Sequence, residues 1–114
     1  MNEIEINITD NFDKEAKRLI KRHKSLKQEL ADLIKSLVDS PFQGADLGGG
    51  VHKIRLAITS KGKGKSGGAR VITYNLQQTS DAVLVTLMSI YDKGEISNVS
   101  DAYLRGLVKE IEET

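Results

Sequence analysis

The chain has no cysteine, which excludes a disulfide framework, a thiolate zinc site and a cysteine nucleophile. It also lacks any apolar run near the roughly 18–20 residues that span a bilayer, and its opening, MNEIEINITD, is acidic and alternating where a signal peptide is basic and then apolar. A soluble, unexported, cytoplasmic protein with no membrane partner is expected. Proline occurs once, at Pro41, where Asp39-Ser40-Pro41 should stop a helix. The most informative absence is local: no Asp or Glu lies between Asp46 and Asp81, yet Lys53, Arg55, Lys61, Lys63, Lys65 and Arg70 all fall in that window. A formal net charge of +1 therefore conceals a sorting of charge, because the other 11 basic residues face 16 acidic ones. A polyanion meets the local field, not the total.

What is present reads as one domain over residues 1–114, large enough to bury a core and too short for two. Glu3–Ile8 alternates, with Ile4, Ile6 and Ile8 inward and Glu3, Glu5 and Asn7 outward, as in a half-buried edge strand. Asp10 or Asn11 can cap a helix whose apolar stripe is Phe12, Ala16, Leu19 and Ile20. Ser25 with Gln28 offers a capping box for a second helix carrying Leu26, Leu30, Leu33, Ile34, Leu37 and Val38. Phe42–Gly50 is a glycine-rich loop. Val51–Thr59 and Ala69–Leu76 then form two strands joined by Lys61–Gly68, and Val83–Tyr91, apolar on both faces, is expected to be an interior strand. A last helix, capped by Ser97 or Ser100, carries Leu104, Leu107, Val108 and Ile111. The order β-α-α-β-β-β-α predicts an α+β fold, an antiparallel sheet packed against an N-terminal helical hairpin.

Gly64-Lys65-Ser66 suggests a phosphate-binding P-loop, but Thr59 stands where the motif needs glycine and the segment leads into a strand, not a helix. The bland reading of Lys61–Gly68 is a solvated hairpin loop. Against it, three lysines alternate with small residues beside an outward-facing Lys53 and Arg55, which suits contact with a phosphate backbone. His23 sits at a helix end, where capping is the expected role. His52 falls by alternation on the apolar face with Ile54. No His/Asp/Glu cluster has metal-ligand spacing, so no metal is assigned. Tyr74, Tyr91 and Tyr103 are core or rim candidates, although Tyr91 ends the apolar strand beside Asp92 and Lys93.

In HKIRLAITSKGKGKSGGARVITY followed by VTLMSIYDKGE, the chain resembles a bacterial toxin of the RelE/ParE superfamily, and the KGKGKSGGARVITY core with SIYDK is most similar to its HigB-type branch. The resemblance covers nearly the whole chain. It implies a RelE-like fold and a type II toxin–antitoxin module in which this protein, as a ribosome-dependent mRNA endonuclease (an mRNA interferase), is neutralised by a cognate antitoxin. An acidic antitoxin segment across the basic hairpin would suit the charge sorting. Ribosome and mRNA are the implied partners, and no small-molecule cofactor is implied. Carried over by matching position, the catalytic set is Lys53, Arg55, Arg70 and Lys93, with Lys61, Lys63 and Lys65 as RNA-binding residues. The tyrosine that some RelE toxins place after the last basic position falls near Val99 or Ser100, so it is missing here. Tyr91, Asp92 or a lysine are its candidate substitutes.

RNA cleaves itself when its 2′-OH is deprotonated and attacks the adjacent phosphate, so such a protein needs a base, an acid and cations for the crowded phosphorane. Arg55 and Arg70 can donate forked hydrogen bonds to phosphoryl oxygens. Lys53, crowded by other cations, is a candidate acid or base. Two other readings stand beside this one: a ParE-like DNA gyrase inhibitor, and a non-catalytic RNA-binding relative.

Overall fold

The computed structural model describes residues 3–113. Its strands are β1 (Glu3–Ile8), β2 (Ala45–Gly48), β3 (Val51–Leu56), β4 (Ala69–Gln77) and β5 (Ala82–Asp92), and its helices α1 (Asp10–Arg22), α2 (Leu26–Asp39) and α3 (Asp101–Glu112). The strands form one sheet in the order β1-β5-β4-β3-β2. The α+β class and the helical hairpin on one face match the expectation from sequence. The sheet is mixed, however, because β1 runs parallel to β5. The chain leaves β1 through two helices and re-enters at the opposite edge, β2, then works back strand by strand until β5 comes to lie alongside β1. The fifth strand, β2, comes from the glycine-rich segment read as loop; it pairs antiparallel with β3. Alternation gives no sign of it, since all four of its residues are exposed.

Two apolar layers sandwich the sheet. Phe12, Ala16 and Leu19 of α1 and Leu26, Leu30, Leu33 and Leu37 of α2 pack on Ile54, Val71, Val83, Val85 and Leu87. On the opposite face, Leu104 and Leu107 of α3 meet Val51, Ile72, Met88 and Tyr91. Leu19, Leu26 and Leu37 have no exposed surface, so truncating any of them to Ala should cost about 2–5 kcal/mol. Val38 and Ile8, expected inward, are exposed at their element ends.

The helix caps differ from expectation in two places. Thr9, not Asp10 or Asn11, caps α1 by accepting from the Phe12 N–H at 3.1 Å. No capping box forms at α2: the Ser25 hydroxyl donates to Glu29 at 3.0 Å while Gln28 donates to Asp32. Ser100 caps α3 as expected. The Ser25–Glu29 pair is used elsewhere, because Glu29 accepts from the Thr59 N–H at 2.8 Å and Ser25 from the Ser60 N–H at 3.0 Å. This contact ends the first hairpin strand at Leu56, not Thr59. The basic segment that follows is organised into two short 3-10 turns, Thr59–Lys61 and Lys65–Gly67.

One irregularity positions the site. In the β4–β5 ladder Ile72 pairs with Ser89 but Thr73 pairs with Leu87, so β5 carries one extra residue at Met88. Such a bulge reverses which face the following side chains occupy. Val83, Val85 and Leu87 face the helical hairpin; beyond the bulge Ile90 does so, while Tyr91 turns toward α3.

Candidate functional site

Cationic residues from four segments converge at one end of the sheet. Arg55 of β3 pairs with Arg70 of β4, and Arg70 in turn pairs with Tyr91 of β5, so the three form a single row across the strands. Lys53 lies two residues from Arg55 on the same face of β3. Just past β5, the Lys93 N–H donates to the Gly68 carbonyl at 2.9 Å, which ties the strand end to the basic turn. Lys53, Arg55, Lys65, Arg70 and Lys93 line a single cavity of about 570 Å³, walled on its other side by Gln43, Gly44 and Ala45. Among the described residues no carboxylate lines it.

Arg70 is the most constrained of the five. It is only 8% exposed, and its guanidinium donates to the Lys65 carbonyl at 2.8 Å, the Ala69 carbonyl at 3.2 Å and the Ser66 carbonyl at 3.4 Å. Three of its five N–H groups are thereby used and two remain. The turn can approach this closely because Gly68 has no side chain: a Cβ there would lie 2.2 Å from the Leu56 carbonyl oxygen. Arg55 is exposed, and its guanidinium has no hydrogen-bond or ion-pair partner among the described residues. Lys53 donates to Asn98 at 3.0 Å and Lys93 to the Ser97 carbonyl, so both ammonium groups rest on the segment between β5 and α3. A concave wall with five cationic residues, no carboxylate and preset donors is suited to a phosphodiester.

A family model described as RelE toxin of the RelE/RelB toxin-antitoxin system matches residues 6–114. The chain belongs to the RelE toxin family. It is thus a toxin of a toxin–antitoxin system, with an antitoxin as partner.

In this RelE-family toxin, Tyr91 and Asp92, named with a lysine as candidate substitutes for the absent tyrosine, point to opposite faces. Tyr91 lies beside Arg70 on the neighbouring strand, 3% exposed, and its hydroxyl has no hydrogen-bond partner among the described residues. Burial pushes its phenol above the ordinary 10.0, against the opposing pull of Arg70. Asp92 faces away from the cavity and is 3% exposed. Its carboxylate accepts from Lys61 Nζ, from His23 Nε2 at 3.1 Å and from the Gly94 N–H at 2.8 Å. Burial by itself would raise the Asp92 carboxyl; the hydrogen bonds from Lys61, Gly94 and His23 outweigh it and hold the group below the ordinary 3.8. Neither residue lines the cavity.

Lys61 therefore departs from the RNA-binding set expected for it: its ammonium is paired with Asp92 and its side chain is 14% exposed. Lys63 is exposed but outside the cavity wall. His23 ends α1, as expected, but its ring serves Asp92. His52 is buried against Phe42, ring centroids 6.1 Å apart, on the face that alternation assigned. Among the described residues no group of three or more His, Asp or Glu could hold a metal ion, and no helix is long and apolar enough to cross a membrane. The triad of His23, Lys61 and Asp92 escapes the sequence because its members are far apart in the chain. Gln43 escapes because a lone glutamine in a loop carries no pattern.

Proposed function

We propose that this toxin is an endoribonuclease that cuts mRNA on the ribosome. The observation that carries this reading is the convergence of Lys53, Arg55, Lys65, Arg70 and Lys93 on one cavity with no lining carboxylate. In the proposed reaction the 2′-OH loses its proton and its oxygen attacks the adjacent phosphorus. The bond to the 5′-oxygen then breaks, leaving a 2′,3′-cyclic phosphate and a 5′-hydroxyl once the leaving oxygen is protonated. Arg55 and Arg70 hold the non-bridging oxygens, where charge builds in the phosphorane. Arginine stays protonated, so proton transfer falls to the cavity lysines: one as neutral amine takes the 2′-OH proton and another as ammonium supplies the leaving oxygen. Tyr91, beside Arg70 in the same row, packs the cavity's flank. The antitoxin, on this reading, covers the cavity with an acidic segment.

The test is a reconstituted translation reaction containing the purified toxin, with mRNA ends mapped in the presence and absence of ribosomes. Cuts confined to translated message are expected. Intact message together with trapped gyrase–DNA complexes would replace this reading by the ParE-like one.

A further inference from the structure

The cationic cavity has one neutral polar side chain in its wall, that of Gln43. Its placement is built in by two neighbours. Gly44, with φ of +91°, lets the backbone lie against β3 so closely that a Cβ would sit 2.4 Å from the Lys53 carbonyl oxygen. Ser36 of α2 fixes the amide: its hydroxyl donates to the Leu33 carbonyl at 2.7 Å, so its oxygen is left as an acceptor, and it takes a hydrogen bond from Gln43 Nε2 at 3.0 Å. That direction determines which end of the amide is nitrogen. Gln43 Oε1 then remains as a carbonyl acceptor with no partner among the described residues.

An acceptor held beside five cationic residues does not serve phosphate, which offers no donor. It does suit a nucleobase edge. Resting on the nuclease reading above, we propose that Gln43 is a base-reading residue, accepting a hydrogen bond from the exocyclic amino group of a nucleotide next to the bond that is cut. Adenine, cytosine and guanine carry such a group and uracil does not; uracil's one edge donor, N3–H, is flanked on both sides by carbonyl oxygens that repel Gln43 Oε1, so uracil is the base disfavoured at that position. Single-stranded RNA is read in this way, by hydrogen bonds to unpaired base edges.

The experiment is end-mapping of a translated mRNA pool cut by the wild type, by Gln43→Met and by Ser36→Ala. Methionine keeps the length of the side chain without the amide; alanine at Ser36 keeps the amide but frees it to turn. The wild type should disfavour uracil at one position beside the cut by about tenfold, the worth of one good base contact. Gln43→Met should lose that bias while still cutting at amino-bearing sites, and Ser36→Ala should weaken it. If the wild type cuts and Gln43→Met gives the same base profile, the base-reading role is overturned and the nuclease reading stands. A wild type that cuts with no bias against uracil overturns it equally. A wild type that cuts no message removes both. Melting curves of both variants show whether a changed profile comes from a folded protein.

Discussion

Arg55 and Arg70 stand directly opposite one another in the β3–β4 ladder, and among the described residues neither has a carboxylate partner. Like charges facing each other across strands destabilise a sheet. On the proposed nuclease reading a phosphate sits between them, and Arg55 is then a residue held at some expense to folding. Arg55→Thr should raise stability by about 0.5 kcal/mol and lower mRNA cleavage. Thermal melts paired with cleavage rates test this. A variant less stable than the wild type would show that the guanidinium groups do not repel.

Arg70 should lose both activity and stability on truncation. Its guanidinium binds three backbone carbonyls, so Arg70→Ala leaves acceptors unpaired at a cost of about 1–3 kcal/mol. Cleavage should fall at least about a hundredfold. Arg70→Lys keeps the charge but not the fork, and should recover little of the rate. Both are best assayed well below their melting temperatures. Wild-type cutting by a folded Arg70→Ala would remove the residue from the mechanism.

Asp92 governs acid stability. Its folded-state pKa lies below the unfolded value near 3.8, so its contribution is complete above about pH 5 and lost as pH falls through the folded value. Asp92→Asn should cost about 3 kcal/mol near neutrality and flatten the acid limb of the stability profile. Because Asp92 does not line the cavity, cleavage by the folded variant should stay within about tenfold of wild type. Denaturant melts from pH 3 to 7 beside a cleavage assay decide the matter, and a stable but inactive Asp92→Asn would return Asp92 to the chemistry.

Binding to a short single-stranded RNA should weaken steeply with salt. Each neutralised phosphate contributes about −0.7 to the slope of log K against log salt on single strands, so four or five cavity cations give a slope of about −3. Fluorescence anisotropy across a salt series measures it. A slope shallower than about −1 is incompatible with the cavity as an RNA surface.

Much of this was legible in the chain because it rests on local pattern. The stripes of α1, α2 and α3 follow from the 3.6-residue period, and Lys53 with Arg55 from the two-residue period of a clean strand. Arg70 and Lys93 meet them through the hairpin and the family signature. What remained hidden depends on relations between distant segments. The parallel β1–β5 pairing has no local signal, β2 is a strand made by its neighbour, and the His23–Asp92 contact joins residues 69 positions apart. Lys61 shows the limit well: its place in a basic run suggested RNA, and a buried carboxylate holds it instead.

The extra residue at Met88 makes strand length a determinant of chemistry. With β5 one residue shorter, the same sequence would deliver the Asp92 carboxylate to the face of Arg55 and Arg70 and put the Tyr91 phenol among the helices. Composition would be almost unchanged, yet an internal anion would occupy the place proposed for the phosphate. Among relatives of this toxin, a single-residue deletion between Leu87 and Ser89 is therefore expected to silence the site as surely as loss of an arginine, and where a gap falls in an alignment of this strand carries more functional information than the identities on either side of it.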